Sequence, residues 1–375
     1  MKIAVNVQTL VDKQMEGLGW FTFESIKRIT QQHLEHEFLF IFGKGIDKKF
    51  LFSDNITAIN IGPPFFRPLV WYFKFEYLLP AILKKHKIDL FISTDGISST
   101  RLKGKILNVI HDLNFEENPQ WLPKSFANYY RKYFPLWAKK ATRIATVSEY
   151  SKQDIHKKYN IDLNKIDVVY NGSNDLYQPI SDKQKEETRT EYSRGQKYFL
   201  FVGSLHPRKN IEQLLLSFGK FKETDTQDIK LVIVGNKFYW NGPIKEAFDS
   251  LKSKTDVIFT GHLSTDKLRN IVASSIALVY VSLFEGFGIP LVEAMNAETA
   301  IISSTATCLP EIAGESALYV NPTSTKEISD AMHQLCNNSV LREELIEKGR
   351  KQRTLFSWQQ TADKLWEAIE KTMNS

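Results

Sequence analysis

Short, continuously apolar runs alternate with longer helical patterns along most of the chain, and this alternation limits the fold more than any other feature. Strands that are covered on both faces have such runs, whereas strands with one solvated face alternate apolar and polar residues. In the first half, the predicted strands are residues 2–7, 38–43, 89–93, 106–111, 143–148 and 166–171. The pattern predicts an α/β domain with a doubly wound parallel sheet.

The alternation stops at residues 178–197, which are polar and contain no apolar run. We interpret this stretch as a linker with a short helix in it. Further strands are then predicted at residues 198–203, 230–235, 256–261, 276–282 and 300–304. The 375 residues therefore divide into two α/β domains, 1–178 and 195–356. Ligands of such sheets bind at the carboxyl ends of the strands, so candidate site residues are sought there.

The composition excludes several other classes of protein. Charged residues make up 25% of the chain and apolar residues 42%, as in ordinary soluble proteins. No apolar run approaches the ~20 residues that span a bilayer. The first residues indicate a strand rather than an export signal. Cys308 and Cys336 form neither a metal motif nor a disulfide framework, so a cytoplasmic location is expected.

The positive charge is concentrated in the first half of the chain. Residues 1–180 contain 25 Lys and Arg against 18 Asp and Glu, a net charge of +7. The whole chain carries +6, so the remaining 195 residues carry −1. Proteins that bind anionic membranes or nucleic acids have such an excess, and so do many that bind neither. No nucleic-acid-binding motif occurs, so a nucleic acid partner is not expected.

The segment FVGSLHPRKN, residues 201–210, combines a strand end, a turn with two cations and the start of a helix. Gly203 allows close approach to the backbone, and the helix terminus offers N–H groups with partial positive charge. Arg208 and Lys209 would oppose the helix dipole unless an anion lies beside them, so a diphosphate site is predicted with Gly203 and Ser204 in it. The alternative is a solvated turn.

The segment SLFEGFGIPLVEAM, residues 282–295, places two carboxylates close to a strand end and a helix start. Glu285 follows the strand, and Glu293 is predicted in the first helical turn. Gly286 and Gly288 leave the intervening backbone N–H groups open to a ligand. Carboxylates at such a place can accept hydrogen bonds from vicinal hydroxyls of a sugar or a ribose. The alternatives are loop solvation for Glu285 and compensation of the helix charge for Glu293.

Both segments resemble motifs of the retaining glycosyltransferases of family 4, the group 1 transferases, through the spacing Glu-x7-Glu and the strand–turn–helix of residues 201–210. Four further segments match the same family in order, namely residues 17–29, 110–115, 146–155 and 168–174. The resemblance implies the GT-B fold, in which two Rossmann-like domains face each other across a cleft. It also implies that the first domain binds the acceptor, that the second binds a nucleotide sugar, and that residues 357–375 return to the first domain. Residues 178–197 and that last helix would form the hinge.

The family's site residues can be assigned to matching positions of the second domain. Arg208 and Lys209 would neutralise the donor diphosphate, and Glu285 would bind hydroxyls of the transferred sugar. Glu293 would bind the ribose. The N–H groups of Phe287 and Gly288 would reach the sugar or phosphate, and residues 204–206 and 235–240 would frame the base.

Three positions of the first domain also match the family. Gly17 and Gly19, expected on a loop after the first strand, would let this domain approach the phosphate. His111, predicted to end the strand 106–111, would lie beside the transferred sugar. Its alternative is a histidine that is merely packed or capped.

No Asp-x-Asp pair occurs in the sequence, so cations and N–H groups are expected to stabilise the leaving diphosphate without a metal or another cofactor. The resemblance implies retention of the anomeric configuration. The pattern favours a hexose, with mannose from GDP-mannose as the associational choice. The acceptor is expected to be a saccharide or a lipid-linked saccharide of a surface glycan. The alternatives are a sugar-nucleotide epimerase and a binding protein without turnover, and a dinucleotide-dependent oxidoreductase ranks lower because GLGWFTF lacks the third glycine.

Two aromatic and basic stretches of the first half suggest peripheral contact with the inner face of a membrane. The first is residues 65–77. The second is a helical stripe that Pro135 interrupts, formed by Phe126, Tyr129, Tyr130, Tyr133, Phe134 and Trp137. The alternative is that both stretches face the core or a partner subunit.

Overall fold

The computed structural model describes residues 1–11, 15, 17–62, 67–237 and 239–375. The chain forms two compact units, one of Met1–Gly172 with Ser357–Ser375 and one of Ser173–Phe356. Residues 173–194, which the sequence analysis divided between the first domain and a linker, thus belong to the second unit. Across the described residues, no helix combines the length and the apolar character that a membrane span requires.

The first unit contains a seven-stranded parallel sheet in the order β3-β2-β1-β4-β5-β6-β7. Its strands are β1 Lys2–Asn6, β2 Glu37–Phe42, β3 Ile56–Asn60, β4 Leu90–Ser93, β5 Lys105–Val109, β6 Arg143–Thr146 and β7 Ile166–Val168. The six strands predicted for this half are all present, most of them shorter at the carboxyl end. The unpredicted strand β3 lies at the sheet edge, where polar and half-exposed residues break its apolar pattern.

Helices cover the sheet of the first unit. They are α1 Gly17–Gln32, α2 Pro68–Phe73, α3 Leu79–Lys85, α4 Asn114–Glu117, α5 Lys124–Lys140, α6 Glu149–Tyr159 and the C-terminal α15 Trp358–Asn374. Helix α15 contacts α1, and its residues Leu365 and Ile369 are fully buried.

The expectation that Gly17 and Gly19 lie on a loop is wrong, because both are in the first turn of α1. The apolar and small residues from Gly19 to Ile29 recur at helical spacing and are buried, so the helix begins earlier than the glycines suggested. A Cβ atom at position 19 would lie 3.1 Å from the carbonyl oxygen of Thr9, which gives this glycine a packing role.

A π-helical turn, Lys74–Leu78, joins α2 to α3, so that residues 68–85 are helical throughout. The turn directs Lys74 and Glu76 into the unit, where both are buried, while Phe73 and Tyr77 are exposed. Helix α5 continues through Pro135, contrary to the expected interruption.

The second unit contains a six-stranded parallel sheet in the order β10-β9-β8-β11-β12-β13. Its strands are β8 Tyr198–Val202, β9 Lys230–Val234, β10 Val257–Gly261, β11 Ala277–Tyr280, β12 Ala300–Ser304 and β13 Ala317–Val320. Its helices are α7 Asp182–Ser193, α8 Ile211–Lys222, α9 Gly242–Ser250, α10 Thr265–Ser274, α11 Ile289–Asn296, α12 Leu309–Ala313, α13 Thr325–Asn337 and α14 Ser339–Gln352. The five predicted strands are present, and the unpredicted β13 is again an edge strand.

Most of the predicted linker is helix α7, which has a capping box between Ser181 and Gln184. The helix belongs to the second unit and contacts α10. The guanidinium of Arg189 donates hydrogen bonds to the Ser274 carbonyl, at 3.0 Å from Nη2. The sequence of α7 is polar because only one face of the helix packs against the unit, while its other residues are exposed to solvent.

Two glycines let the carboxyl ends of β8 and β9 approach each other closely. Gly203 and Gly235 both have φ of +147°, and a Cβ atom at position 235 would lie 1.9 Å from the Gly203 carbonyl oxygen. Any side chain at position 235 must therefore push the two strand ends apart.

We expect Gly235→Ala to lower the free energy of unfolding of the second unit by about 3 kcal/mol, because the new methyl group has no space. The matched control is Gly261→Ala, where φ is +73° and nothing lies within 4 Å of the added Cβ. The control should cost only about 1 kcal/mol of backbone strain. Urea unfolding curves of both variants measure the difference, and equal losses would contradict the close approach.

Candidate active site

The strand order of the second sheet reverses between β8 and β11, which are neighbours. The loops that follow these strands therefore leave the same edge of the sheet in opposite directions. Ligands of open α/β sheets bind at this kind of switch point. The first loop carries Arg208 and Lys209, and the second carries Glu285.

The structure brings these three residues into direct contact. Nη1 of Arg208 lies 2.5 Å from Oε2 of Glu285, and Nζ of Lys209 lies 2.6 Å from Oε1 of Glu285. The hydroxyl of Tyr280, the last residue of β11, accepts a hydrogen bond from Lys209 and donates one to Oε1 of Glu285. One carboxylate thus holds two cations, and we name these four residues the ion cluster.

The members of the ion cluster differ in exposure. The side chains of Glu285 and Lys209 are 6% and 9% exposed, whereas that of Arg208 is 29% exposed. Burial alone would raise the pKa of Glu285, but the charges of Arg208 and Lys209 outweigh it and hold the pKa at about 2. Burial and the adjacent carboxylate raise the pKa of the Tyr280 hydroxyl. Glu285 is therefore ionised and Tyr280 neutral at neutral pH, and Arg208 is the most exposed of the three charged side chains.

Backbone contacts fix the loop of Arg208 against the loop of Glu285. The Leu283 N–H donates to the Arg208 carbonyl at 2.8 Å. Asn210, with φ of +61°, ends the turn Pro207–Lys209 and donates from Nδ2 to the carbonyls of Val281 and Pro322. The start of α8 at Ile211 agrees with the predicted helix start near Asn210.

The predicted glycine turn after Glu285 is held in place by side chains from other segments of the second unit. The buried thiol of Cys308 donates to the carbonyls of Glu285 and Phe287, and the Phe287 ring packs edge-on against Phe356. Gly288 has φ of +97° and precedes α11. The Glu285 N–H donates to the Thr307 hydroxyl at 3.2 Å.

Glu293 is the fifth residue of α11, so its predicted place in the first turn is wrong. Compensation of the helix charge therefore does not explain it, since that effect is confined to the first turn. The buried hydroxyl of Tyr177 donates a hydrogen bond to its carboxylate. Burial of the carboxylate raises the pKa of Glu293 to about 7, although the side chain as a whole is half-buried.

His111 lies in the first unit, two residues beyond the end of β5, and its ring is held from two sides. Nε2 lies 2.9 Å from the Thr94 carbonyl oxygen, and the Phe21 ring meets the imidazole edge-on at 4.9 Å. A carbonyl only accepts, so Nε2 carries the hydrogen and Nδ1 is an acceptor in the neutral ring. Burial lowers the pKa of His111 to about 4.

Other predicted donor residues of the second unit lie on the loops that follow β8 and β9. Gly203 and Ser204 directly follow β8, and His206 packs edge-on against Tyr239 at 4.7 Å. Residue 238, in the predicted base-binding loop 235–240, lies outside the described residues.

Comparison with protein families identifies two matching models, glycosyltransferase family 4 over residues 17–175 and glycosyl transferases group 1 over residues 182–352. The chain is 32% identical to the O-antigen chain mannosyltransferase RfbU of Salmonella typhimurium over 75% of this chain and 74% of that protein. The chain belongs to the group 1 glycosyltransferases.

This glycosyltransferase has further relatives. It is 25% identical to the O-antigen chain mannosyltransferase B of Escherichia coli over 68% of this chain and 67% of that one. A solved structure of Anabaena HepE in complex with UDP and glucose superposes with a TM-score of 0.76 at 16% identity, covering 99% and 100% of the two chains. The two parallel-sheet units together thus have the GT-B fold, as predicted.

Sequence reasoning missed several residues that hold the transferase site together. Tyr280, Thr307 and Asn210 support the loops around Glu285, and Tyr177 reaches Glu293 from a distant part of the sequence. Only Asn210 had a usable signal, since it directly follows the two cations and can adopt positive φ. The others are contacts between segments that the topology brings together.

The raised pKa of Glu293 predicts a pH-dependent stability of this glycosyltransferase. A carboxyl with a pKa near 7 when folded and 4.5 when unfolded stabilises the fold below pH 4.5, and this contribution is lost as the pH rises through 7. We therefore expect the stability of Glu293→Gln relative to the wild type to rise by about 2 kcal/mol between pH 5 and 9.

Urea unfolding at four pH values measures this effect. The matched control is Glu246→Gln, an exposed carboxylate on α9 of the same unit. The control should follow the wild type at every pH. Parallel profiles for Glu293→Gln and the wild type would contradict the buried, protonatable state of Glu293.

Proposed function

We propose that this glycosyltransferase is a retaining, metal-independent hexosyltransferase that moves mannose from GDP-mannose to a saccharide or lipid-linked saccharide acceptor of a surface polysaccharide. The ion cluster at the switch point of the second sheet carries the proposal, because its two cations and one carboxylate suit a sugar diphosphate. The choice of mannose is supported by the relatives, of which two are O-antigen mannosyltransferases.

The geometry favours different roles for the two cations. Arg208 is the accessible cation, so it binds the donor diphosphate with a planar guanidinium that fits two phosphate oxygens. Lys209 is buried between Glu285 and Tyr280, so it orients the carboxylate and adds a fixed positive charge behind the phosphate. Glu285 keeps an ionised carboxylate that accepts hydrogen bonds from sugar hydroxyls.

The rest of the donor would be bound by groups on the same sheet edge. Glu293, held by Tyr177, binds the ribose hydroxyls, and the N–H groups of Phe287 and Gly288 face the sugar or phosphate. The aromatic pair His206 and Tyr239 flanks the base. These roles follow the family's motif at matching positions, and the second unit is accordingly the nucleotide-sugar-binding domain.

His111 of the first unit would act as a neutral hydrogen-bond acceptor. Its Nε2–H is committed to the Thr94 carbonyl, so Nδ1 accepts from a hydroxyl of the transferred sugar. The low pKa keeps the ring uncharged at neutral pH, which assigns it to orientation rather than proton donation.

The proposed chemistry exchanges one glycosidic bond for another on the same face of the sugar. The bond between C1 and the diphosphate oxygen breaks while a bond from C1 to the acceptor oxygen forms. The acceptor proton passes to the departing diphosphate. Arg208 and Lys209 stabilise the charge that develops on this leaving group, which is the largest contribution expected of the protein.

Donor binding is tested by thermal shift with GDP-mannose, GDP-glucose, UDP-glucose and UDP-galactose. We expect GDP-mannose to give the largest shift, because a ligand at 100 times its Kd adds about 2.7 kcal/mol. Arg208→Ala should lose this shift and keep the wild-type Tm within a few degrees. Lys209→Ala should lower the Tm itself, since it leaves Glu285 buried with one partner fewer. Lys252→Ala, an exposed lysine of the same unit, is the control and should behave as wild type.

The reaction itself is followed by NMR with GDP-mannose and a panel of methyl glycosides. We expect an α-linked product, because the donor is α-linked and the configuration is retained. We also expect the product to form equally with and without EDTA. A β-linked product would refute retention, loss of turnover with EDTA would refute metal independence, and free sugar released without acceptor would favour the epimerase.

We also propose that the first unit contacts an anionic membrane through the exposed face of residues 67–87. Leu69, Phe73 and Tyr77 are spaced by four residues on this helical segment and are 68%, 55% and 46% exposed. Its single carboxylate, Glu76, is buried, whereas its exposed charges are cations, namely Arg67, Lys84, Lys85 and Lys87. Aromatic and basic side chains in this arrangement fit the surface of anionic lipids.

The second aromatic stretch has a different role. On α5, Tyr129, Phe134 and Trp137 are buried in the core of the unit, and Tyr130 and Tyr133 pack against it. The alternative of core packing thus applies to this stripe. Residues 65 and 66 of the first stretch lie outside the described residues.

Co-sedimentation with vesicles that contain phosphatidylglycerol tests the membrane surface. We expect binding that weakens as salt rises and that falls at least fivefold in the double variant Leu69→Ser with Phe73→Ser. The control is Leu34→Ser, an equally exposed leucine elsewhere in the first unit. Binding that is absent, or that the double variant retains in full, would reject this surface.

A further inference from the structure

A second polar cluster lies at the switch point of the first sheet, between the neighbouring strands β1 and β4. It consists of Asn6 and Gln8 from the end of β1, Asp95 from the turn after β4, and Lys74 from the π-helical turn. Open α/β sheets bind ligands at this place, and none of the segments that resemble the family's motifs includes these residues.

Three neighbouring residues donate hydrogen bonds to the same oxygen of Asp95. Oδ1 accepts from Nδ2 of Asn6 at 2.9 Å, from the Ser93 hydroxyl at 2.9 Å and from the Ile97 N–H at 3.1 Å. None of these three bonds reaches Oδ2, and the residue is half-buried rather than sealed. Asp95 is therefore a fixed carboxylate with one oxygen available to a ligand.

Lys74 supplies the complementary donor. Its side chain is buried, and Nζ donates to Oε1 of Gln8 at 2.8 Å, while Gln8 in turn donates from Nε2 to Oδ1 of Asn6 at 3.0 Å. Burial lowers the pKa of Lys74, and the charge of Asp95 opposes this effect. The two side chains are linked through Gln8 and Asn6, since Asn6 also donates to Asp95. Burial raises the pKa of Asp95 to about 6.

Glu76 fixes the π-helical turn in place beside the Asp95 turn. Its buried carboxylate accepts from the Thr100 N–H at 3.0 Å, from the Thr100 hydroxyl at 2.7 Å, from the Ser99 hydroxyl at 3.1 Å and from Nε1 of Trp137 at 3.3 Å. These bonds tie residues 74–78 to residues 99–100, which belong to the same β4–β5 connection as Asp95. Rigid placement of this kind is expected of a binding site rather than of a solvated turn.

We propose that Asp95 and Lys74 form a saccharide-binding pair of the first unit, in which Oδ2 of Asp95 accepts from one hydroxyl of the acceptor sugar and Nζ of Lys74 donates to a neighbouring oxygen of the same ring. This deepens the proposed function, on which it rests, by assigning residues to the acceptor. The pair adjoins His111, because the carbonyl that holds the His111 ring belongs to Thr94, the residue before Asp95.

A carboxylate and an ammonium together suit vicinal hydroxyls better than they suit an ion. A free anion would be repelled by Asp95, and a free cation by Lys74. A pair of neighbouring hydroxyls can donate to the first group and accept from the second, so both charged groups stay hydrogen-bonded in a half-buried place. The ligand class is therefore a neutral sugar residue.

The test uses the full chain with 1 mM GDP on an array of immobilised oligosaccharides ending in mannose, galactose, rhamnose or N-acetylglucosamine. Asp95→Asn is the informative variant, because its amide oxygen can replace Oδ1 as acceptor while the NH2 group replaces Oδ2. Lys74→Met keeps the aliphatic stem and removes the ammonium. The controls are Asp54→Asn and Lys157→Met, both exposed in the same unit.

We expect Asp95→Asn and Lys74→Met to weaken glycan binding at least tenfold, with the GDP-mannose thermal shift and the Tm close to those of the wild type and the controls. This result supports the pair whichever nucleotide sugar gives the largest shift, so it is independent of the donor assignment. Glycan binding that both variants retain, or a wild type that binds no glycan on the array although GDP-mannose shifts its Tm, would overturn the proposal. A large fall in Tm for both variants would also overturn it, since it would assign the pair to folding.

Discussion

One buried carboxylate holds together the functional edge of the second unit. Glu285, on the loop after β11, pairs with Arg208 and Lys209 on the loop after β8. The Tyr280 hydroxyl donates a further hydrogen bond to the same carboxylate. Without Glu285, Lys209 would be a buried charge with no carboxylate beside it, a state that costs several kcal/mol. The loops therefore depend most on the buried pair of Glu285 and Lys209, whereas Arg208 is the more exposed member of the ion cluster. The local stability of this edge and the preorganisation that we propose for catalysis thus have the same physical origin.

The parallel sheets explain why the polar clusters of each unit lie at the carboxyl ends of the strands. Every strand of both sheets runs in the same direction, so all strand ends open on one side, and the reversal of strand order separates two adjacent loops. In the second unit these loops carry the ion cluster. In the first unit the corresponding loops carry Asn6 and Asp95, with Thr94 and His111 beside them. The two edges share a geometry but differ in charge. The second unit has two cations and one carboxylate at its edge, whereas the first has one cation, Lys74, and one carboxylate, Asp95.

The sequence predicted the buried parts of this fold well, because a strand covered on both faces must be continuously apolar. The missed strands, β3 and β13, are edge strands with half-exposed residues, so burial imposes less on their sequence. Residues 178–197 were predicted to be a linker with a short helix, and most of the stretch is α7, whose few buried residues leave no apolar run in the sequence. The positions of Arg208, Lys209 and Glu285 were predictable from residue type and spacing. Their mutual contacts, and the presence of Asp95 at a switch point, depend on which strands are neighbours, and local sequence does not specify this.

The contact between Arg208 and Glu285 affects which anions can bind at the ion cluster. Under the proposed function, inorganic phosphate or a nucleoside diphosphate would meet a guanidinium whose Nη1 atom is already paired with Glu285, and neither would bring a sugar hydroxyl for that carboxylate. An intact sugar diphosphate would bring a diphosphate for the Arg208 guanidinium and sugar hydroxyls for the Glu285 carboxylate. Both residues would then have a new partner in place of each other. Under the proposed function, the internal pairing therefore favours an intact sugar diphosphate over small anions. The same proposal predicts easier release of the spent nucleotide, because the contact between Glu285 and Arg208 can re-form once the sugar has gone.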